Sequence, residues 1–236
     1  MEKFLYRRML RALTLLGVLF AVLCYLRVAE TGMAVYTAVE TPAVVTSLPQ
    51  TGKKQVYLTF DTAMGEDYVS EILAVLRKYH AKASFGILGD WMEAYPDAAQ
   101  EIRKSGMAVF CHSMHHARYV DLSRAEMQAD AEQAKAAVEA FFGRECHYIR
   151  PPYGAYTKEV AEAMEEVGMR VLLWNRDSED WREDASAEDI LENALHAVAP
   201  GDILLFQTNA AQTAPALEVL LPTLRRMGYE FAQIKN

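Results

Sequence analysis

The sequence predicts an α/β fold with parallel strands at its centre and helices outside. Three observations carry that expectation. From about residue 55 onward, short apolar and β-branched runs alternate strictly with segments of helical period. Gly106, Gly143, Gly168 and Gly228 fall at or just after helix ends, where a left-handed cap favours glycine. The chemically capable residues cluster just after strands, and parallel strands bring those ends to one rim. Strict alternation fits either a barrel or a doubly wound sheet.

In order, QVYLTF from residue 55 reads as a strand. EDYVSEILAVLRKYH follows with apolar residues at Val69, Ile72, Leu73, Leu76 and Tyr79, the spacing of an amphipathic helix. The couple repeats as strand KASFGIL with a helix near 97–105, strand MAVFC with a helix over 123–142, and strand CHYIR with a helix over 157–168. Strand RVLLW with a helix over 186–198, strand DILLF with a helix over 213–227, and a last strand YEFAQI complete seven strands and six helices.

What precedes residue 54 is different. Lys3, Arg7, Arg8 and Arg11 stand before a charge-free run from Ala12 to Leu26, a basic region followed by an apolar one. As a helix those 15 residues would extend roughly 22 Å, short of the roughly 30 Å bilayer core unless flanking residues snorkel. Tyr25, Leu26 and Arg27 interrupt any small-residue cleavage site, so residues 1–29 are expected to be a retained signal anchor rather than a cleaved signal peptide. That would leave the rest outside the cell on a single-pass anchor, or secreted if the segment is cut. Residues 30–53, rich in Thr, Ala, Val and Pro, read as a linker, and 54–236 as the domain. Beyond residue 29 the chain keeps 19 basic and 31 acidic residues, a formal charge of −12, which repels nucleic acid. Of three cysteines only Cys111 and Cys146 lie in the domain, and the sequence gives no distance between them.

Of six histidines, His112, His115 and His116 fall within five positions. In a turn or helical loop, His112 and His116 can bring two imidazoles to one metal ion, while His115 reads as an exposed neighbour. A His-rich surface loop is the competing reading. Asp61 ends a strand in TFDTAMG, where a carboxylate serves as metal ligand, general base or helix N-cap. Arg150 opens RPPYG, whose prolines fix a loop that aims backbone N–H groups, or it is a plain salt-bridge partner. WNRDSEDW offers carboxylates and two tryptophans, a wall for a sugar ring or a turn with an aromatic anchor.

Taken together, TFDTAMG, HSMHH, RPPYG, DSEDW and GDILLFQ, in that order, resemble the five motifs of the polysaccharide deacetylase family, the carbohydrate esterases of NodB homology. The resemblance covers about residues 54–234 and implies a distorted (β/α) barrel of NodB-homology type, here preceded by the N-terminal hydrophobic helix. It implies removal of N-acetyl groups from amino sugars of peptidoglycan or chitin-like glycans, with a divalent metal, zinc before others, as cofactor. Carried over by position, Asp61 matches the base, Arg150 its tether, and His112 and His116 the metal-binding histidines. The Tyr153 backbone N–H matches an oxyanion donor, Trp181 and Leu205 the acetyl-methyl pocket, and Asp180 the carboxylate that orients an acid histidine. Two positions depart: Thr62 stands where the third metal ligand is usual, which implies metal binding that is weakened or is completed by Asp61 itself or by water, and Gln207 replaces the acid histidine. Glutamine has no proton to give near neutral pH. The resemblance therefore implies either a slow deacetylase with a replacement acid, for which His115 and a metal-bound water are the candidates, or a glycan-binding or regulatory protein without turnover.

Overall fold

The computed structural model describes residues 44–49, 52–65 and 68–235; the expected N-terminal hydrophobic helix lies outside these. Among the described residues no helix is long and apolar enough to cross a membrane. The strands are β1 (Gln55–Thr62), β2 (Ser84–Ile87), β3 (Ala108–Cys111), β4 (Tyr148–Ile149), β5 (Arg170–Val171), β6 (Arg176–Asp177), β7 (Ile203–Gln207) and β8 (Glu230–Ala232). The helices are α1 (Val69–Lys78), α2 (Gly89–Ala94), α3 (Pro96–Ser105), α4 (Arg124–Phe142), α5 (Lys158–Glu166), α6 (Ala187–Leu195) and α7 (Thr213–Arg226).

The strands form one parallel sheet in the order β5-β4-β3-β2-β1-β7-β6, with β8 pairing the start of β1. Residues within the stretch expected as a linker bridge its flanks. Val45 pairs in parallel with Leu172, just after β5, and Ser47 pairs antiparallel with Asp202, just before β7. The sheet is thus a curled, incompletely closed barrel.

Alternation along β1 divides the packing. Val56, Leu58 and Phe60 belong to the large core under the helices, where Phe60 stacks between Phe85 and Phe206 at 5.2 and 5.3 Å. Tyr57 instead joins Val45, Phe110, Leu172, Ile203 and Ile234 in a small core. Helix ends follow the sequence signals: Ser123 and Glu126 form a capping box at α4, and Gly106 and Gly143 close α3 and α4 with φ of 71° and 67°.

Two elements go beyond the sequence expectation. Helix α2 is a short amphipathic turn that buries Trp91 and Met92, and Pro96 starts α3 anew after it. The run RVLLW gives only a two-residue strand, because the Leu172 and Leu173 carbonyls accept from Arg150 while the Leu173 N–H donates to Val45. The chain then turns and forms β6, an extra strand beside β7. Cys111 and Cys146 are buried free thiols whose sulfurs lie 3.1 Å apart.

Candidate active site

Asp61 is buried at the end of β1, on the face it shares with Tyr57 and Thr59. Its Oδ1 accepts from Arg150 Nη1 at 2.8 Å. The rest of the Arg150 guanidinium is also used: Nη2 donates to Thr59 Oγ1 and to the Leu173 carbonyl, each at 3.1 Å, and Nε donates to the Leu172 carbonyl at 3.3 Å. Its plane lies over Phe110 at 4.8 Å and Trp174 at 5.2 Å. Burial lowers the Arg150 pKa, but the adjacent Asp61 opposes the shift, and a guanidinium stays charged. Gly86 on β2 makes room for the pair, since a Cβ there would stand 2.5 Å from Asp61 Oδ1. A glycine inside a strand was the sequence signal for that close approach.

His112 follows β3 and is buried. Its Nδ1 lies 2.9 Å from the Arg150 carbonyl, which can only accept, so Nδ1 carries the proton. Its Nε2 lies 3.8 Å from Asp61 Oδ2. The His116 ring approaches His112 edge-on at 5.1 Å between centroids, and the exposed Tyr153 ring packs on His116 at 4.8 Å. Burial, with the neighbouring His112, lowers the His116 pKa to about 4, which keeps that imidazole neutral and its lone pair available at neutral pH. Ser113, His116 and Tyr153 all have left-handed backbone, with φ of 70°, 55° and 61°. Such strain in bulky side chains clusters where the surrounding structure fixes a functional geometry.

A cation suits this arrangement in part. With Nδ1 donating to a carbonyl, the usual support of a metal-binding imidazole, His112 turns Nε2 toward the Asp61 carboxylate. His112 and His116, with Asp61 beside them, are therefore the residues able to hold a divalent ion. Among the described residues, however, no group of three or more His, Cys, Asp or Glu side chains encloses one. Thr62 does not complete it. Its buried hydroxyl donates to the Gly86 carbonyl at 3.0 Å and accepts from the Leu88 N–H at 3.2 Å, which occupies it with β2. His115 points elsewhere: it is exposed, its Nδ1 is 3.0 Å from Asp90 Oδ1, and that partner raises its pKa.

On the neighbouring strand, Gln207 pairs in register with Asp61. Its backbone N–H donates to Asp180 Oδ2 at 2.9 Å, and Thr213 Oγ1 donates to the same oxygen at 2.5 Å. Asp180 Oδ1 is buried, and among the described residues it has no hydrogen-bond partner. Burial raises the Asp180 pKa to about 6, against the lowering effect of those donors. Trp181 is 60% exposed and donates from Nε1 to Asp177 Oδ1 at 3.3 Å. Asp177 also takes the Trp174 Nε1–H at 3.1 Å and pairs in register with Leu205, which is buried in β7.

The structure thus joins Asp61, Arg150, His112, His116 and Tyr153 in one connected cluster, with Asp180 and Gln207 in a second cluster on the next strand. Sequence reasoning placed Asp177 at the rim without a role, and missed Thr59 and Thr213. Thr59 was detectable as the residue two before Asp61 on the same strand face, whereas nothing local marks Thr213 as a partner of Asp180.

A family model described as polysaccharide deacetylase matches residues 49–172. The chain is 30% identical over 188 residues to a peptidoglycan-N-acetylglucosamine deacetylase of Bacillus cereus, covering 76% of this chain and 68% of that protein. Among solved structures, BA3943 of Bacillus anthracis, a pseudoenzyme of carbohydrate esterase family 4, is similar with a TM-score of 0.77 at 27% identity, covering 82% of this chain and 68% of that one. A mutant of BA3943 with restored enzymatic activity matches with the same TM-score at 28% identity, covering 82% of this chain and 70% of that one.

Proposed function

The chain belongs to the polysaccharide deacetylase family, and from that premise we propose that it is a hydrolase removing N-acetyl groups from amino sugars of the cell wall, slowed by an incomplete site. The observation that carries the reading is the buried Asp61 carboxylate, held at Oδ1 by Arg150 with Oδ2 turned to His112. In this reading Arg150 holds and orients Asp61, so that Oδ2 can take the proton of an attacking water. His112 and His116 would hold a divalent ion, zinc first, and such an ion when bound polarises the amide carbonyl and lowers the pKa of water. The Tyr153 backbone N–H would face the developing oxyanion, and Trp181 and Leu205 would border the acetyl methyl. The substrate is peptidoglycan or a chitin-like oligosaccharide. The domain would be held outside the cell by residues 1–29, supported by their basic-then-apolar order.

A second reading, a glycan-binding or regulatory protein without turnover, is favoured by the unpartnered Asp180 Oδ1 beside Gln207. An acid histidine at 207 would give that oxygen a donor, and glutamine has no proton for the leaving amine. General acid assistance is worth about 10² to 10⁴-fold. The test is acetate release by the full chain from N-acetylglucosamine oligomers and from peptidoglycan, with added Zn²⁺ or Co²⁺, beside Gln207→His. Slow release by the natural protein, raised by Gln207→His, is the expected result. Release by the variant alone establishes the second reading, and release by neither form removes the first.

A further inference from the structure

The turn that returns the chain from His112 to His116 is held by a carboxylate outside the five motifs. Asp130 lies on α4, within the helix's apolar stripe between Met127 and Ala134, and is buried. Its Oδ1 accepts from the Met114 N–H at 3.0 Å and from the Tyr119 hydroxyl at 2.6 Å, and its Oδ2 accepts from the His115 N–H at 3.1 Å. From the other side, the N–H groups of Gly89 and Asp90 at the start of α2 donate to the carbonyls of Ser113 and Met114, at 3.1 and 2.9 Å. Inside the turn, Ser113 Oγ accepts from the His116 N–H at 3.0 Å. These bonds hold two non-glycine residues, Ser113 and His116, in left-handed backbone.

We propose that Asp130 is the positioning residue of the histidine pair: its two oxygens clamp successive N–H groups of the turn and so fix where His116 stands relative to His112. The inference rests on reading that pair as metal-binding. Two adjacent N–H groups in a turn make a concavity suited to an anion, and the two oxygens of Asp130 take one N–H each. Tyr119, buried and donating to the same carboxylate, aims Oδ1 at Met114. An acid in the apolar stripe of an amphipathic helix is the sequence signal for a buried task of this kind.

The test compares the full chain with Asp130→Asn, which keeps the shape but turns a donor toward one of the two N–H groups, and with Tyr119→Phe. Glu132→Gln, exposed on the same helix, is the control. Two measurements are made: Co²⁺ titration followed by its visible absorption, and amide hydrogen exchange of residues 113–116 in metal-free protein. Asp130→Asn is expected to weaken Co²⁺ binding by about 10 to 100-fold, to speed exchange in the turn, and to leave other regions unchanged. Tyr119→Phe should do the same to a smaller degree. Native Co²⁺ affinity and native exchange in Asp130→Asn would overturn the proposal. If the natural protein binds no Co²⁺, the reading of the pair as metal-binding fails, and exchange alone decides the clamp: faster in the turn upholds it, unchanged rejects it. Should Asp130→Asn not fold, Tyr119→Phe decides in the same way.

Discussion

On one side of the rim, the Arg150 guanidinium makes four hydrogen bonds, lies over two aromatic rings and delivers one oxygen of Asp61 to a fixed place, leaving the other turned toward His112. On the other side, Asp180 has the same burial but, among the described residues, an oxygen with no donor, and its other oxygen takes the backbone N–H of Gln207, the register partner of Asp61. Asp61 is held by a charged partner, Arg150, whereas Asp180 is held only by the Gln207 N–H and the Thr213 hydroxyl. Burial raises the Asp180 pKa against the lowering effect of its neutral donors, whereas Asp61 has a cation beside it. In the proposed reading the base half of the site is built to act, whereas the acid half keeps its support without the group that it would support.

The comparison breaks most sharply if the Asp61–Arg150 pair is cut. Asp61→Asn is expected to reduce acetate release by about 10² to 10⁴-fold. Arg150→Ala should cost about 3 to 5 kcal/mol in urea unfolding, since it strands a buried carboxylate. Native-like stability in Arg150→Ala would mean that the pair does not organise this side. Next in size is the pH behaviour of Asp180. Its folded pKa, about 6, lies above the unfolded value of 3.8, so between those limits the folded state binds more protons and stability falls as pH rises. The loss, on the order of 3 kcal/mol, is complete above pH 6. Asp180→Asn should remove this slope from thermal unfolding between pH 4 and 7, and Gln207→His should flatten it by giving Oδ1 a donor.

A smaller effect tests the space around the base. Gly86→Ala forces Asp61 Oδ1 or the Phe110 ring to move and should destabilise by about 1 to 3 kcal/mol, with a fall in acetate release larger than in an alanine variant remote from the site. The smallest concerns the replacement acid. His115→Ala removes a side chain already engaged with Asp90 at the surface, so acetate release should change less than twofold; a larger fall would make His115 part of the acid side after all.

The alternation of strands and helices, the strand-end placement of Asp61, His112 and Arg150, and the glycine caps were legible because each is a local pattern. The order of the strands was not, because β7 beside β1 joins segments about 145 residues apart. The fate of Thr62 was half legible: the sequence shows that it is a poor ligand, but not that both roles of its hydroxyl are taken by Gly86 and Leu88. Likewise Gln207 could be read as a missing acid, whereas the unsatisfied oxygen it leaves behind depends on Thr213, on a helix contributed by a later segment. Asp130 was visible only as an acid among apolar neighbours, and its partners in the turn are 15 and 16 residues away.

Residues 45–48 have a consequence for anyone who trims this chain. An unfinished sheet offers backbone groups on which a foreign strand can template. Val45 occupies those beside Leu172, and the Leu48 N–H caps the Gly201 carbonyl at 2.9 Å. The same Leu173 whose N–H donates to Val45 gives its carbonyl to Arg150, so this short strip is one peptide removed from the guanidinium that holds Asp61. A truncation at residue 49, where the family match begins, would at once open a sticky seam and loosen the support of the base.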